Sequence, residues 1–77
     1  MSQYFFSIRD SHGLIADEEG SECRNDADAL EEATASARDL AKQYIDSHTT
    51  FAGSSIEVRD ARGVLLASIA LSKMAGP

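Results

Sequence analysis

The chain has 77 residues, an apolar fraction of 43% and a formal net charge of −6. This length accommodates one domain, and the apolar fraction is too high for a disordered chain. The acidic excess argues against binding to nucleic acid or anionic lipid, because phosphate groups would be repelled, and no run of about 18 apolar residues is present that could span a membrane.

The first two predicted strands form a hairpin. Residues 3–9 alternate, with Tyr4, Phe6 and Ile8 on one side, which is typical of a strand. Residues 10–13 read Asp-Ser-His-Gly, the composition of a type I turn followed by a glycine bulge. Residues 14–17 then return as a second strand.

An acidic segment follows this hairpin. Residues 17–32 contain eight acidic residues and one basic residue, so the whole negative excess lies there. Oxygen-rich loops bind calcium, although the spacing is not that of an EF-hand loop. The weak metal-ligand candidates are Asp17, Glu18, Glu19 and Glu22. The segment also has the charge needed to dock a basic protein partner.

One long helix is predicted over residues 26–47. Its apolar residues recur at spacings of three and four, which defines one face of a helix. They are Ala27, Leu30, Ala33, Ala37, Leu40, Ala41, Tyr44 and Ile45. Either Asn25 or Asp26 has a side chain suited to the N-cap. Small alanines on this face would let the helix lie close to a sheet.

The last predicted elements form a second hairpin. Residues 56–59 are the third strand, residues 60–63 are its turn and residues 64–71 are the fourth strand. We expect residues 1–72 to form a single ββαββ domain of the α+β class, with one helix on one face of a four-stranded sheet. Residues 73–77 are expected to form a flexible C-terminal tail.

The two hairpins share a repeated pattern. Residues 8–15 and 58–65, fifty residues apart, both read apolar-Arg-Asp-x-x-Gly-apolar-apolar. A shared turn chemistry accounts for the Asp and Gly positions. Duplication of a hairpin, or a common use of the two Arg-Asp pairs, are alternative explanations.

Strand order follows from the direction of each connection. A helix of this length crosses the sheet once, so the third strand runs down and the fourth runs up. The fourth strand is apolar on both sides, as a central strand should be, whereas the second and third carry charges typical of edges. We therefore predict the β-grasp-like order 2-1-4-3. The alternative is the fully antiparallel order 2-1-3-4.

The chain resembles a family of short bacterial proteins known only as a domain of unknown function. The similarity lies in the opening Tyr4-Phe5-Phe6-x-Ile8-x-Asp10-x-x-Gly13, in Asp17-Glu18-x-Gly20, in the alanine-rich helix and in the closing Ile56-Glu57-Val58-Arg59-Asp60-x-x-Gly63. The resemblance implies this fold and a bacterial source. It implies no activity, cofactor or catalytic residue.

Single reactive side chains give little support for catalysis. The acidic neighbours of Cys23 would raise the pKa of its thiol, so we interpret it as a structural cysteine. His12 and His48 lack the spacing of a zinc site and are interpreted as surface residues. We expect no cofactor. The single cysteine and the N-terminal sequence suggest a cytoplasmic protein.

The face of the sheet opposite the helix is the best candidate for function. The predicted interface residues there are Phe5, Arg9, Glu57, Arg59 and Leu66. We expect a non-enzymatic protein-interaction module that self-associates, most simply as a two-fold homodimer. The alternatives are a metal-binding protein or small enzyme that uses the acidic loop, and a nucleic-acid regulator, which the net charge disfavours.

Overall fold

The computed structural model describes residues 1–47 and 53–74. They form an α+β domain with one main helix, as predicted. The sheet is antiparallel throughout. The elements in chain order are β1 (Ser2–Asp10), β2 (Gly13–Ile15), β3 (Ser21–Cys23), α1 (Asp26–Asp46), β4 (Ser55–Asp60), β5 (Leu65–Ala70) and α2 (Leu71–Met74).

The sheet has the order β2-β1-β4-β5, and every strand pair is antiparallel. The predicted third and fourth strands are β4 and β5, so the β-grasp-like order 2-1-4-3 is wrong and the alternative 2-1-3-4 is correct. The sheet also has a fifth strand that was not predicted. The short β3 pairs with the start of β1, while β2 pairs with its end.

The strand order was mispredicted because a charged strand lies at the centre of the sheet. Ile56 and Val58 of β4 are buried on one face, and Glu57 between them is only 7% exposed on the other. Two arginines pair with the Glu57 carboxylate, which offsets part of the cost of burying its charge. The less charged β5 forms the edge instead.

The second and fourth predicted strands both end earlier than expected. The second ends at Ile15, and the chain makes a loop before it pairs with β1 again as β3. The fourth ends at Ala70, where α2 begins with the fully buried Leu71. Lys73 and Met74, which were assigned to the tail, belong to α2, and residues 75–77 lie outside the described residues.

Helix α1 packs on the sheet through a stripe of alanines. Ala29, Ala33, Ala37 and Ala41 recur every fourth residue and are at most 1% exposed. Asn25 is the N-cap, because its side chain accepts a hydrogen bond from the backbone N–H of Asp28 at 2.8 Å. Ala27 and Ile45, which we assigned to the buried face, are exposed. His48 lies outside the described residues.

The hydrophobic core occupies the layer between α1 and the sheet. Tyr4, Ile56 and Val58 meet the alanines of the helix, and Cys23 and Leu71 close the layer at its margins. Within the described residues, no helix combines the length and apolar character required to cross a membrane. Neither helix of residues 1–47 and 53–74 packs on the opposite face of the sheet, and the composition of that face is therefore the main clue to function.

Candidate interaction surface

The open face is defined here as the side of the sheet that points away from α1. Strand register assigns its members, because paired residues of antiparallel strands point to the same side. The open face consists of Gln3, Phe5, Ser7, Arg9, Leu14, Glu22, Ser55, Glu57, Arg59, Leu65, Ser68 and Ala70. Four of the five predicted interface residues therefore lie on one surface.

An ion-paired trio occupies the middle of the open face. Arg9 Nε donates to Glu57 Oε2 at 2.5 Å, and Arg59 Nη2 donates to Glu57 Oε1 at 3.2 Å. Arg59 Nη1 also donates to the carbonyl oxygen of Gly63 at 3.0 Å. The Glu57 side chain is 9% exposed, whereas those of Arg9 and Arg59 are 49% and 36% exposed. Both oxygens of the buried carboxylate are thus used, while the arginines remain accessible.

The trio is charged at neutral pH. The hydrogen bond from Arg9 lowers the pKa of Glu57, burial opposes this shift, and Arg59 lowers the pKa further. The same contact raises the pKa of Arg9. The arrangement fixes two guanidinium groups in place beside one carboxylate, which gives the centre of the open face a local positive charge.

A β-bulge changes which leucine reaches this surface. Val58 pairs with Ala67, but Arg59 pairs with Leu65, so Leu66 is an extra residue in the ladder. Leu65 therefore lies on the open face and is 47% exposed, whereas Leu66 packs against the core on the side of α1. The prediction that Phe5 and Leu66 share the open face is wrong, because regular alternation does not continue through the bulge.

The acidic loop, which contains the weak metal-ligand candidates, is attached to β1 through the side chain of Asp17. The carboxylate of Asp17 accepts hydrogen bonds from the backbone N–H groups of Phe6 and Gly20, at 3.0 and 3.1 Å. The Asp17 carboxylate thereby provides a hydrogen-bond acceptor for a backbone N–H of β1 that lies at the gap between β2 and β3. Glu18, Glu19 and Glu22 are exposed. Among the described residues, no group of three or more metal-ligand side chains is close enough to hold an ion.

Gly20 lets this loop lie against β1. Its φ is +75°, and a Cβ there would be 2.8 Å from the carbonyl oxygen of Tyr4 and 2.9 Å from the ring of Phe5. The Asp17 and Gly20 positions of the sequence pattern therefore have structural roles. Phe5, a predicted interface residue, is half-buried beneath the loop rather than freely presented.

The repeated Asp-x-x-Gly pattern closes two similar turns. Asp10 accepts a hydrogen bond from the backbone N–H of His12 at 2.7 Å. Asp60 accepts from the backbone N–H groups of Arg62 and Val64 at 2.9 and 3.0 Å. The arginines that precede these turns both bind Glu57. The repeat was the sequence signal for this convergence, but it did not identify their common partner.

Cys23 and Tyr4 are buried, and the pKa of each side chain is raised. Burial, with a further contribution from the hydrogen bond to Glu32, raises the pKa of the Cys23 thiol to about 11. The hydrogen bond from the Tyr4 hydroxyl to Asp26 at 2.7 Å, with burial, raises the pKa of Tyr4 to about 12. A thiol with this pKa is not a nucleophile at neutral pH. His12 is exposed in the first turn, as predicted.

Comparison with known proteins identifies a family but no activity. A family model described as "Domain of unknown function (DUF6894)" matches residues 3–72. No curated protein and no solved structure matches the chain. The matched range includes both hairpins, the acidic loop and the main helix.

Proposed function

The chain belongs to the family described as domain of unknown function (DUF6894), and from the geometry of its open face we propose that it is a non-enzymatic, self-associating protein-interaction module. The observation that carries this proposal is the Arg9–Glu57–Arg59 trio on a sheet face that neither described helix covers. Two fixed, half-exposed guanidinium groups provide directed hydrogen-bond donors for a protein surface.

Charge supports association through this face rather than elsewhere. The charged members of the open face are two arginines and two glutamates, so the face is neutral although the chain carries −6. The exposed acids of the loop and helix would repel a second copy. Two copies therefore meet with least repulsion when their open faces approach each other. The acidic residues of the segment 17–32 other than Glu22 lie outside the open face and remain available for a basic protein partner.

The area of the open face determines how strong a self-association we expect. Four strands spaced by about 4.8 Å, each contributing about six residues at roughly 3.3 Å, form a flat area of about 400 Å². Two such faces bury roughly 800 Å², which is below the range of about 1,200–2,000 Å² for stable complexes. We therefore expect a concentration-dependent equilibrium between monomer and dimer rather than a permanent dimer.

Two neighbouring residues of β2 provide a matched test. Leu14 pairs with Arg9 on the open face and is 45% exposed, whereas Ile15 pairs with Ile8 on the other side and is 60% exposed. Leu14→Glu should shift sedimentation equilibrium toward monomer, because it places a charge at the interface. Ile15→Glu makes the same chemical change and should leave the equilibrium unchanged.

The outcomes separate the open face from other modes of association. Circular dichroism should show equal helix content in both variants, since both positions are exposed. A wild-type protein that stays monomeric at high concentration would refute self-association. Equal weakening by Leu14→Glu and Ile15→Glu would refute the open face as its site.

A further inference from the structure

Strand β5 is an edge of the sheet, and alternate backbone groups of this strand point away from the chain. It is the last strand in the order β2-β1-β4-β5, so among the described residues only β4 pairs with it. The backbone N–H of Leu71 donates to the carbonyl oxygen of Ser54 at 3.0 Å, which continues the register of this ladder as a hydrogen-bonded pair. Such pairs occur at every second position of an antiparallel ladder, so Ile69 also bonds to β4. The N–H and C=O groups of Ser68 and Ala70 therefore point outward.

The other side of the sheet shows how an outward N–H can be satisfied within the chain. By the same alternation, the N–H of Phe6 in β1 points away from β4, and the carboxylate of Asp17 accepts a hydrogen bond from it at 3.0 Å. The N–H groups of Ser68 and Ala70 have no such acceptor in the part of the chain that the structure describes. One side of the sheet is thus closed by a side chain, whereas the outer edge of β5 is open.

Strand β5 also lacks the features that usually prevent edge strands from pairing. Its six residues, Leu65–Ala70, include no charged residue and no proline, which are the common protections of an edge. The bulge at Leu66 affects only the start of the strand, and the register of residues 67–70 is regular. Val64 and Leu65 are exposed apolar residues at the same end. Open backbone groups and exposed apolar side chains therefore occur together at this edge.

We propose that a second copy of this chain pairs with this edge, β5 against β5, in antiparallel orientation. A two-fold axis perpendicular to the sheet at Ile69 places Ser68 of one copy opposite Ala70 of the other. Both residues of each such pair then donate and accept a hydrogen bond, so every outward N–H and C=O group of the two positions is satisfied. The Ile69 side chains of the two copies meet beside the axis on the side of α1, as a β-branched pair between strands. The two sheets become one continuous sheet.

The distribution of charge favours a second copy at this edge. The chain carries a net charge of −6, but β5 carries none. The acidic β3 lies on the far side of β1, three strand spacings from β5. In the continuous sheet, the β3 strands of the two copies are roughly 34 Å apart at about 4.8 Å for each spacing. Salt screens exposed charges beyond about 8 Å, so repulsion between these two edges is largely screened.

This contact is separate from the open face. A two-fold axis perpendicular to the sheet keeps the open faces of both copies on the same side and leaves them uncovered. The inference therefore goes beyond the proposed function and does not depend on it. The two contacts can also be tested one at a time, because Leu14→Glu alters the open face and leaves β5 unchanged.

Amide hydrogen exchange followed by NMR tests the edge without a substitution in β5. In the Leu14→Glu protein, the N–H groups of Ser68 and Ala70 should exchange rapidly when the protein is dilute, because they have no acceptor. Their exchange should slow by about tenfold or more as the concentration rises and the strands pair. The N–H of Ile69, which bonds to β4, should be protected at every concentration and serves as the internal control. Rapid exchange of Ser68 and Ala70 at all concentrations would overturn the proposal.

A matched pair of substitutions separates the backbone of Ser68 from its side chain. Ser68→Pro and Ser68→Ala both remove the hydroxyl, but only proline removes the N–H, and an edge strand tolerates proline where that N–H points outward. In the Leu14→Glu protein, Ser68→Pro should weaken association about tenfold or more, because each dimer loses two hydrogen bonds. Ser68→Ala should leave association unchanged. Equal association of the two variants in sedimentation equilibrium would contradict edge pairing, and circular dichroism checks that both are folded.

The combined results separate this inference from the proposed function. Association that Leu14→Glu abolishes, with rapid exchange of the Ser68 amide throughout, supports the open face and overturns edge pairing. Association that Leu14→Glu leaves unchanged but Ser68→Pro abolishes supports edge pairing and refutes the open face. A decrease in mean mass with each substitution, and a further decrease when they are combined, supports both contacts.

Discussion

Arg9 donates a hydrogen bond from Nε to the carboxylate of Glu57, a residue 48 positions further along the chain. The contact joins β1 to β4, the two central strands of the sheet. Arg59 binds the second carboxylate oxygen, so both arginines of the repeated pattern share one acceptor. This shared acceptor makes a buried glutamate compatible with the centre of the sheet.

Removing the charge of Glu57 should weaken the fold. Glu57→Gln keeps one acceptor oxygen but places an NH2 donor opposite the second arginine. One charge-assisted hydrogen bond is therefore weakened and the other is lost, and we expect the free energy of unfolding at pH 7 to fall by about 2 kcal/mol. Urea denaturation measures this change. Glu31→Gln removes the same charge from an exposed helical site, where a change within about 0.5 kcal/mol is expected.

The pH dependence of Glu57→Gln has a defined sign. The pKa of Glu57 is below its ordinary value of 4.5 in the folded state, chiefly because Arg9 donates a hydrogen bond to it. Its stabilising contribution is therefore present above pH 4.5 and is lost as pH falls through the lowered value. The stability difference between wild type and Glu57→Gln should shrink over that range. A difference that persists in strong acid would contradict this assignment.

Gly20 should tolerate alanine less well than Gly63. Both residues have positive φ, +75° and +85°, but only at Gly20 would a Cβ meet other atoms. We expect Gly63→Ala to cost about 1 kcal/mol from backbone conformation alone. Gly20→Ala should cost at least twice as much, because the backbone carbonyl of Tyr4 must also move. Thermal unfolding of the two variants tests the contrast, and equal losses would show that the loop adapts.

Replacing a buried alanine of α1 with a larger residue should destabilise the fold. Ala37 is fully buried against the sheet, whereas Ala35 is exposed on the same helix. Ala37→Leu should lower the free energy of unfolding by about 1–3 kcal/mol through overpacking. Ala35→Leu should change it by less than about 0.5 kcal/mol, since leucine is nearly as good a helix former. Chemical denaturation of both variants provides the comparison.

Asp17 should act as a structural cap rather than as a cation ligand. Asp17→Ala leaves the Phe6 and Gly20 N–H groups without their acceptor, and we expect a loss of about 2 kcal/mol. Glu18→Ala, at the exposed neighbour, should be nearly neutral. Addition of calcium should not raise the melting temperature of wild type. A calcium-dependent increase that Asp17→Ala abolishes would support the metal alternative.

Cys23 should react slowly with alkylating reagents. Its pKa of about 11 leaves very little thiolate at pH 8, so iodoacetamide should modify the folded protein far more slowly than the urea-unfolded one. The raised pKa also predicts that stability falls as pH rises from the ordinary value of 9.0 through 11. Absorbance of the thiolate during an alkaline titration measures the folded pKa, and a value near 9 would be inconsistent with burial.

The sequence alone was sufficient for the local elements. Period-two alternation predicted β1 and β4, spacings of three and four predicted α1, and the Asp-x-x-Gly pattern predicted both turns. These features depend on residues close together in the chain, so a short window of sequence is enough to predict them. The same patterns predicted that four residues share one face of the sheet, in agreement with the strand register: Phe5, Arg9, Glu57 and Arg59.

The strand order and the composition of the open face were decided only by tertiary structure. The charged residues of β4 are typical of an edge strand. Glu57 is nevertheless buried at the centre of the sheet, because it pairs with Arg9, a residue 48 positions away in the chain. Leu65 and Leu66 are chemically identical, so nothing local indicates which one a bulge turns toward the open face. Strand β3 likewise forms where Asp17 and Gly20 let the chain return to β1. In each case the deciding interaction joins segments that are distant in sequence, so the local sequence pattern does not predict it.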